Sequence, residues 1–327
     1  MTNILPDTLV SIRGLQVNIM SAKGAVHAVR GADMDIFQGE ICGLVGESGC
    51  GKTITAKSVM RLNPEDRLVY RGGIEYEGRD LLTLTEREMC EVRGKHISMI
   101  FQDPTLALDP LQPVGKQIEE VYRIGGLSRG EAEEKTLAML SDVGIHPPEE
   151  RRRAYPFEMS GGQLQRVMIA IALAAGPKLL IADEPTTALD VTVQDQILEL
   201  LKDIRDKRGT SVFIITHDFG VIAEIADRVA VMYAGRIVET GEVTEIFDDA
   251  RHPYTRDLIA SIPRAGNDHP VSIPGAPPDL REVIVGCPYA PRCGYAEAKC
   301  EESFPEARVL TGTHRFHCVL DIPEARI

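Results

Sequence analysis

Eight residues, Gly46-Glu47-Ser48-Gly49-Cys50-Gly51-Lys52-Thr53, limit what this chain can become more than any other stretch. They fit a spacing of Gly, four residues, then Gly-Lys-Thr, which cradles phosphate when a strand precedes it and a helix follows. Glu40-Ile41-Cys42-Gly43-Leu44-Val45 before it reads as a short buried strand, and Ile54 to Leu62 after it contains no helix breaker until Asn63-Pro64. Glycines let such a loop turn its amide N–H groups inward, where the helix start adds its own donors and dipole to hold an anion. In that arrangement Lys52 reaches the terminal phosphates and the Thr53 hydroxyl ligates Mg²⁺.

The 327 residues, 43% hydrophobic and 26% charged, suffice for one large domain and a smaller one. A formal net charge of -13 argues against a broad electrostatic footprint on nucleic acid. The longest apolar candidate, Val167 to Pro177, is about half the length of a membrane span and ends at Lys178. No basic segment followed by an apolar core opens the chain, so the expected location is cytoplasmic.

Residues 9–20 alternate apolar and polar side chains as an edge strand does, and Ala32 to Phe37 alternates again after a turn around Ala22-Lys23-Gly24. Gly72 to Gly78 reads as a strand in a hairpin, Thr85 begins an acidic helical stretch, and Ile97 to Phe101 is a short apolar strand. From Val114 to Ala175 the period becomes helical, with Glu131 to Val143 a clear amphipathic helix. Strands resume at Leu179–Ala182, Val212–Ile215 and Val229–Tyr233, separated by helices at about 193–206 and 219–226. Such alternation predicts an α/β fold with a largely parallel sheet and a helical subdomain at about 104–176. Ala234-Gly235 then turns the chain back into Arg236–Glu239. Beyond Ile262 prolines crowd and regular runs cease, which predicts a boundary between domains 1–262 and 263–327.

Ser160-Gly161-Gly162-Gln163 opens a second helix of note, nearly all apolar from Leu164 to Ala175 and stopped by Gly176-Pro177. Ser at the N-cap with Gln three residues on is a capping box. Two glycines in the first turn cost helix stability, and they make sense where something, an anion by preference, approaches the backbone closely. Leu179 to Ala182 runs into Asp183-Glu184, two carboxylates at a strand end where open α/β sheets bind ligands. Asp183 there holds Mg²⁺ through water and Glu184 polarises an attacking water as general base.

Glu158-Met159-Ser160-Gly161-Gly162-Gln163-Leu164-Gln165-Arg166 resembles the signature loop of ABC-type ATPases, with Met159 in place of the usual Leu. The resemblance implies two cassettes facing head to tail, each ATP held between the phosphate loop of one and the signature loop of the other. Residues 46–53 with Gln102, Asp183, Glu184 and His217 then serve the chain's own ATP, and Ser160, Gly161, Gly162, Gln163 and Asp190 serve the partner's. Thr216-His217-Asp218 matches the family's switch histidine, Gln102 its Mg²⁺-shell glutamine, and Ala188-Leu189-Asp190 the loop that crosses the dimer interface. Lys52, Glu184 and His217 carry catalysis on this reading; Thr53, Gln102 and Asp183 hold Mg²⁺. Members often stack adenine on an aromatic near the chain start, but residues 1–36 contain none, and His27 or Val26 is the candidate substitute.

The flanks narrow the resemblance to oligopeptide/dipeptide importer ATPases, in particular the D-type subunit. They are Met99–Pro104, Arg166–Ala170, Ala182–Val191, His252-Pro253-Tyr254-Thr255 and Pro274–Pro278. This implies a second, homologous ATPase, two permease subunits, an extracytoplasmic peptide-binding protein, and a peripheral place on the cytoplasmic face of the inner membrane. The cargo stays open among dipeptides, oligopeptides, glutathione and nickel. A different reading is a soluble ABC ATPase acting on nucleic acid or ribosomes; the acidic charge and the importer-like flanks weigh against it.

Four of the seven cysteines, Cys287, Cys293, Cys300 and Cys318, crowd into the irregular tail. A proline-rich stretch with little core suggests a metal staple, though the spacing is neither that of a zinc ribbon nor of a ferredoxin, and buried free thiols are the plain alternative. The family resemblance implies a 4Fe–4S cluster, with zinc as the alternative.

Overall fold

The computed structural model describes residues 7–21, 24–63, 67–187, 189–262 and 272–321. Ala22 and Lys23 of the expected turn, Ala188 of the expected interface loop, and residues 263–271 at the expected domain boundary lie outside the described residues. The chain forms two compact units, residues 1–84 with 215–327, and residues 85–214.

The first unit opens with β1 (Thr8–Ser21), β2 (Gly24–Phe37), β3 (Ile41–Val45), α1 (Lys52–Val59), β4 (Leu68–Tyr76) and β5 (Arg79–Asp80). Strands β2-β1-β4-β5 make an antiparallel sheet in that order, with Val10 opposite both Ile36 and Tyr76. Strand β2 is longer than the alternation of Ala32–Phe37 predicts. Its first half buries no side chain on a regular face; it is a strand because Asn18 to Ser21 of β1 pair with it residue by residue. Pairing partners, unlike apolar periodicity, leave no local mark on a sequence.

The second unit follows as α2 (Glu86–Val92), β6 (Ile97–Ile100), α3 (Pro104–Ala107), α4 (Val114–Ile124), α5 (Arg129–Asp142), α6 (Pro148–Arg151), α7 (Gly161–Leu173), β7 (Leu179–Asp183) and α8 (Val191–Arg208). Strand β8 (Ser211–Thr216) ends this unit and runs into the first. Strands β6 and β7 pair in parallel, Ile97 opposite Leu179, and both are buried throughout. Fully buried parallel strands read as continuous apolar runs, which is why their sequence announces them. Thr85 and Ser128 cap α2 and α5 in reciprocal boxes with Glu88 and Glu131. Helix α4 packs on α5 and α7. The buried Glu119 carboxylate of α4 joins Lys116 at 3.1 Å and Arg152 at 3.3 Å, and Arg152 reaches Glu133 of α5 at 2.6 Å.

The chain returns to the first unit with α9 (Phe219–Ile225), β9 (Arg228–Tyr233), β10 (Arg236–Glu242), α10 (Val243–Asp249), α11 (Pro253–Ala260), α12 (Lys299–Glu302), β11 (Arg308–Val309) and β12 (Arg315–Phe316). Strand β3 runs parallel to β9, Val45 opposite Val231, and β9 turns through Ala234-Gly235 into antiparallel β10. The tail continues that sheet: β12 pairs with β10, Glu239 opposite Phe316. Beneath the join, the fully buried Glu239 carboxylate accepts the N–H groups of Arg251 (2.6 Å) and His252 (3.0 Å) and sits 2.8 Å from His314 Nε2. A buried carboxylate needs that many partners, and here they come from both sides of residues 263–271.

At the start of β3, Glu40 is buried, accepts the Phe37 N–H at 2.7 Å and lies 3.4 Å from Arg228. Burial pushes its pKa up to about 6, outweighing the Arg228 charge. The folded state therefore binds this proton more tightly than the unfolded chain, whose value is near 4.5. The contribution is greatest below pH 4.5 and is lost as pH rises through about 6. Relative to Glu40→Gln, wild type should lose up to about 2 kcal/mol across that window and nothing outside it, read from urea midpoints at successive pH values.

Candidate nucleotide site

In the unit of residues 1–84 and 215–327, β3 delivers the chain into the loop and α1 takes it up at Lys52, with Gly51 at the N-cap. The loop lies against backbone. A Cβ on Gly46 would stand 2.1 Å from the Met232 carbonyl oxygen, and one on Gly51 would stand 2.3 Å from that of Ala28. Gly51 also has a φ of 110°, which L side chains avoid. These glycines thus fix the loop against β9 and β2 as well as exposing its amides. Lys52 is buried, and its Nζ donates to the carbonyls of Gly46 (2.7 Å) and Glu47 (3.0 Å), 3.8 Å from Cys50 Sγ. Burial raises the pKa of the Cys50 thiol, so Cys50 presents a neutral group inside the loop. Thr53 is half-buried in the first turn of α1.

Glu47 has contacts that the loop motif does not foretell. Its carboxylate meets the Arg292 guanidinium in a two-pronged pair, Nη1 to Oε2 at 2.7 Å and Nη2 to Oε1 at 3.1 Å. Its N–H donates to the Tyr254 hydroxyl at 2.8 Å. The sequence marks Tyr254 only as part of His252-Pro253-Tyr254-Thr255, and nothing local marks Arg292 at all. His217 is exposed just past β8, in a turn held by Asp218, whose N–H donates to Thr216 Oγ1 and whose carboxylate accepts the Gly220 N–H. His27 stands in β2 with Nδ1 2.6 Å from Asn18 Oδ1 and its N–H on the Leu280 carbonyl.

In the unit of residues 85–214, β7 ends in buried Asp183, and Glu184 follows with a φ of 48°. A non-glycine residue in the left-handed region carries strain of order ~1 kcal/mol, and such strain gathers at functional positions. The turn is held by Thr187, whose N–H reaches the Glu184 carbonyl at 3.2 Å and whose Oγ1 reaches Glu184 Oε2 at 2.8 Å. Gln102 Nε2 donates to the same Oε2 at 3.2 Å, so two site candidates 82 residues apart are in direct contact.

Ser160 caps α7 with the predicted box: its hydroxyl accepts the Gln163 N–H and the Gln163 side chain accepts the Ser160 N–H. Behind this exposed start the helix is buried from Leu164 through Leu173, apart from partial exposure at Arg166 and Ile171. The glycines differ in purpose. Around Gly161 the nearest side-chain atom to an added Cβ is 3.9 Å away, on Leu189. At Gly162 that Cβ would fall 2.6 Å from Val193 Cγ1, so this glycine admits a neighbouring helix and does not need an anion to explain it. The contact seats α7 beside the start of α8, where the Asp190 carboxylate caps the Val193 N–H at 3.0 Å. The two groups assigned to the partner's ATP, 160–163 and Asp190, are thereby neighbours.

Cys287, Cys293, Cys300 and Cys318 line one small pocket with His252, Tyr289 and Leu320. All seven cysteines are free thiols. Burial raises the pKa of Cys287 to about 11 and shifts Cys293 and Cys318 the same way. Among the described residues no group of three or more His, Cys, Asp or Glu is arranged to hold a metal ion. Nor, among them, is any helix long and apolar enough to cross a membrane.

Residues 29–187 match the family model of the ABC transporter, and residues 238–300 match that of the oligopeptide/dipeptide transporter C-terminal region. The "Probable peptide ABC transporter ATP-binding protein y4tR" of Sinorhizobium fredii is 49% identical, over 97% of this chain and 96% of its own length. The oligopeptide transport ATP-binding protein OppD of Bacillus subtilis is also 49% identical, covering 97% and 90%. The dipeptide transport ATP-binding protein DppD of the same organism is 46% identical, covering 96% of this chain and 95% of its own length. Among solved structures, the ATP-binding cassette MJ0796 in its dimeric, post-hydrolysis state bound to ADP and Pi superposes with a TM-score of 0.64 at 26% identity, over 72% of this chain and 98% of that one. The cbiO1 protein of Clostridium perfringens, part of the ABC transporter complex cbiONQ, gives 0.63 at 28%, over 74% and 91%.

The Gly162 contact carries a prediction. Because Val193 is stiff at χ1, Gly162→Ala should cost about 1–3 kcal/mol, and adding Val193→Ala should return most of it, measured by denaturant unfolding.

Proposed function

We propose, from the premise that this chain belongs to the ABC-transporter ATP-binding subunits of the oligopeptide/dipeptide importer family, that it hydrolyses ATP to drive peptide uptake. The observation that carries this reading is the double match, the ABC model over 29–187 and the peptide-importer model over 238–300, with relatives similar along nearly the whole chain. Amides of residues 46–53 hold phosphate oxygens at the start of α1, and Lys52 exchanges its carbonyl partners for the terminal phosphates. Thr53, Gln102 and Asp183 hold Mg²⁺, which neutralises phosphate charge. Glu184 takes the proton of the attacking water, and the Gln102 and Thr187 contacts hold its carboxylate in one orientation for that task. His217 contacts the terminal phosphate. Ser160–Gln163 and Asp190 address ATP bound by a second, homologous cassette.

The two-cassette reading is supported by the solved MJ0796 cassette, which is dimeric with ADP and Pi bound. On this reading the subunit sits peripherally at the cytoplasmic face of the membrane, held by two permeases that receive cargo from an extracytoplasmic binding protein. Glu184→Gln in the assembled importer should keep ATP affinity within about twofold and lower turnover by at least ~100-fold. Normal turnover in that variant overturns the assignment of Glu184.

For the tail we propose that Cys287, Cys293, Cys300 and Cys318 hold a 4Fe–4S cluster. Four thiols line one pocket without being gathered round a single ion, and a cluster spreads its sulfurs more widely than one zinc ion with Zn–S bonds of ~2.3 Å does. When bound, the cluster supplies a covalent brace to a segment with little apolar core. Anaerobically purified protein should contain about four iron and four acid-labile sulfide per chain. Iron-free protein with stoichiometric zinc, or with four titratable thiols, overturns this.

A further inference from the structure

A carboxylate is an odd choice inside a loop that must attract polyphosphate. Glu47 follows Gly46 directly, and an unneutralised charge there opposes an anion at the amides a few ångströms away. Two groups from the later part of the chain, Tyr254 and Arg292, meet this one residue. Arg292 forks onto both carboxylate oxygens, and its guanidinium is only 5% exposed, against 25% for Glu47. Its Nε donates to the Pro274 carbonyl at 2.7 Å and its Nη1 also reaches the Tyr233 hydroxyl at 3.1 Å, so the fork is aimed before Glu47 is considered. Tyr254, fully buried, takes the Glu47 N–H. Tyr254 and Tyr233 pack at 4.5 Å between centroids, and both lie 5.2 Å from Tyr289, an aromatic trio that fixes the hydroxyls. The hydrogen bonds from Arg292 to Glu47 and Tyr233 hold the guanidinium pKa above its ordinary value.

Both arms come from the cysteine pocket. Arg292 ends a 3₁₀ turn, Ala290–Arg292, between Cys287 and Cys293, and Ala290 lines the pocket. Tyr254 lies in the first turn of α11, next to His252 and Pro253, which line the pocket too, and its N–H donates to His252 Nδ1 at 3.1 Å.

We propose that Arg292 and Tyr254 are positioning residues for the nucleotide: the C-terminal tail grips Glu47, cancels its charge, and so sets the affinity of the phosphate loop for a nucleoside triphosphate. The inference rests on the reading of residues 46–53 as the nucleotide phosphate site. Of the guanidinium's hydrogen-bond partners among the described residues, Pro274, Ile273, Tyr233 and Glu47, only Glu47 belongs to that site, so its effect passes through the carboxylate.

The test is equilibrium binding of ATP with Mg²⁺ to the full chain in wild type, Arg292→Gln, Glu47→Gln and the double variant. Arg292→Gln exposes an uncancelled carboxylate and should weaken ATP binding about tenfold, more at low salt than at high. Glu47→Gln keeps the residue 47 amide and removes only the charge, so adding it to Arg292→Gln should tighten ATP binding about tenfold relative to Arg292→Gln alone, to the level of Glu47→Gln itself. A merely structural role for Arg292 predicts the opposite, a double variant no better than Arg292→Gln. Arg292→Lys, which keeps the charge without the fork, should bind within about threefold of wild type, and it serves where Arg292→Gln does not fold. Unchanged affinity in Arg292→Gln, no recovery in the double variant, or a loss in Arg292→Lys as deep as ~tenfold each overturns the inference. Failure of wild type to bind ATP overturns instead the reading on which it rests.

Discussion

The phosphate loop stands on contacts that leave no room for a methyl group. The carbonyls of Met232 and Ala28 press on Gly46 and Gly51 so closely that a Cβ at either would overlap them. Side chains hold the loop at Lys52 and Glu47, but its glycines have none, so at those positions it is shaped from outside by backbone. Much of the first unit serves that need. Strand β3 brings the loop to its place, β9 lies parallel beside β3, and β2 supplies the opposing carbonyl. The apolar burial of these strands is what keeps the carbonyls still.

A second constraint is the fate of charge away from water. Glu239 is wholly buried and satisfied by two backbone amides and a histidine, Glu119 by a lysine and an arginine, and Glu47 by one arginine. In each case at least one partner comes from another segment of the chain: His314 for Glu239, Arg152 for Glu119 and Arg292 for Glu47. Such pairs add little net stability against an apolar alternative, but breaking one leaves a buried charge alone, so they select a single arrangement of the segments that meet there. For the tail, where Ala290, Cys300, Phe316, Cys318 and Leu320 form a small apolar cluster, that selection matters more than in the sheet core.

What could be read from the sequence follows from how locally each feature is written. The phosphate loop, the buried strands β3, β7 and β8, and the capping box at Ser160 depend on neighbours within a few residues, and they stand where the patterns place them. The first half of β2 depends on β1, the strain at Glu184 on a turn closed by Thr187, and the place of Gly162 on Val193 thirty-one residues later. Arg292 is the extreme case, 245 residues from the carboxylate it grips, with a spacing to Cys287 and Cys293 that says nothing of Glu47. The glycine pair opening α7 shows a further limit, because a sequence records that space is needed and not what fills it.

Lys52 already answers the loop's own carbonyls at Gly46 and Glu47. The loop is therefore a folded object with its cation in place, and taking up a nucleotide trades one set of charge-assisted hydrogen bonds for another. Little chain has to be immobilised in the exchange, so the conformational entropy that usually weakens binding by flexible anion-binding loops is largely settled during folding. Calorimetry of such a site would register a modest heat-capacity change, set by polar exchange and not by burial of apolar surface.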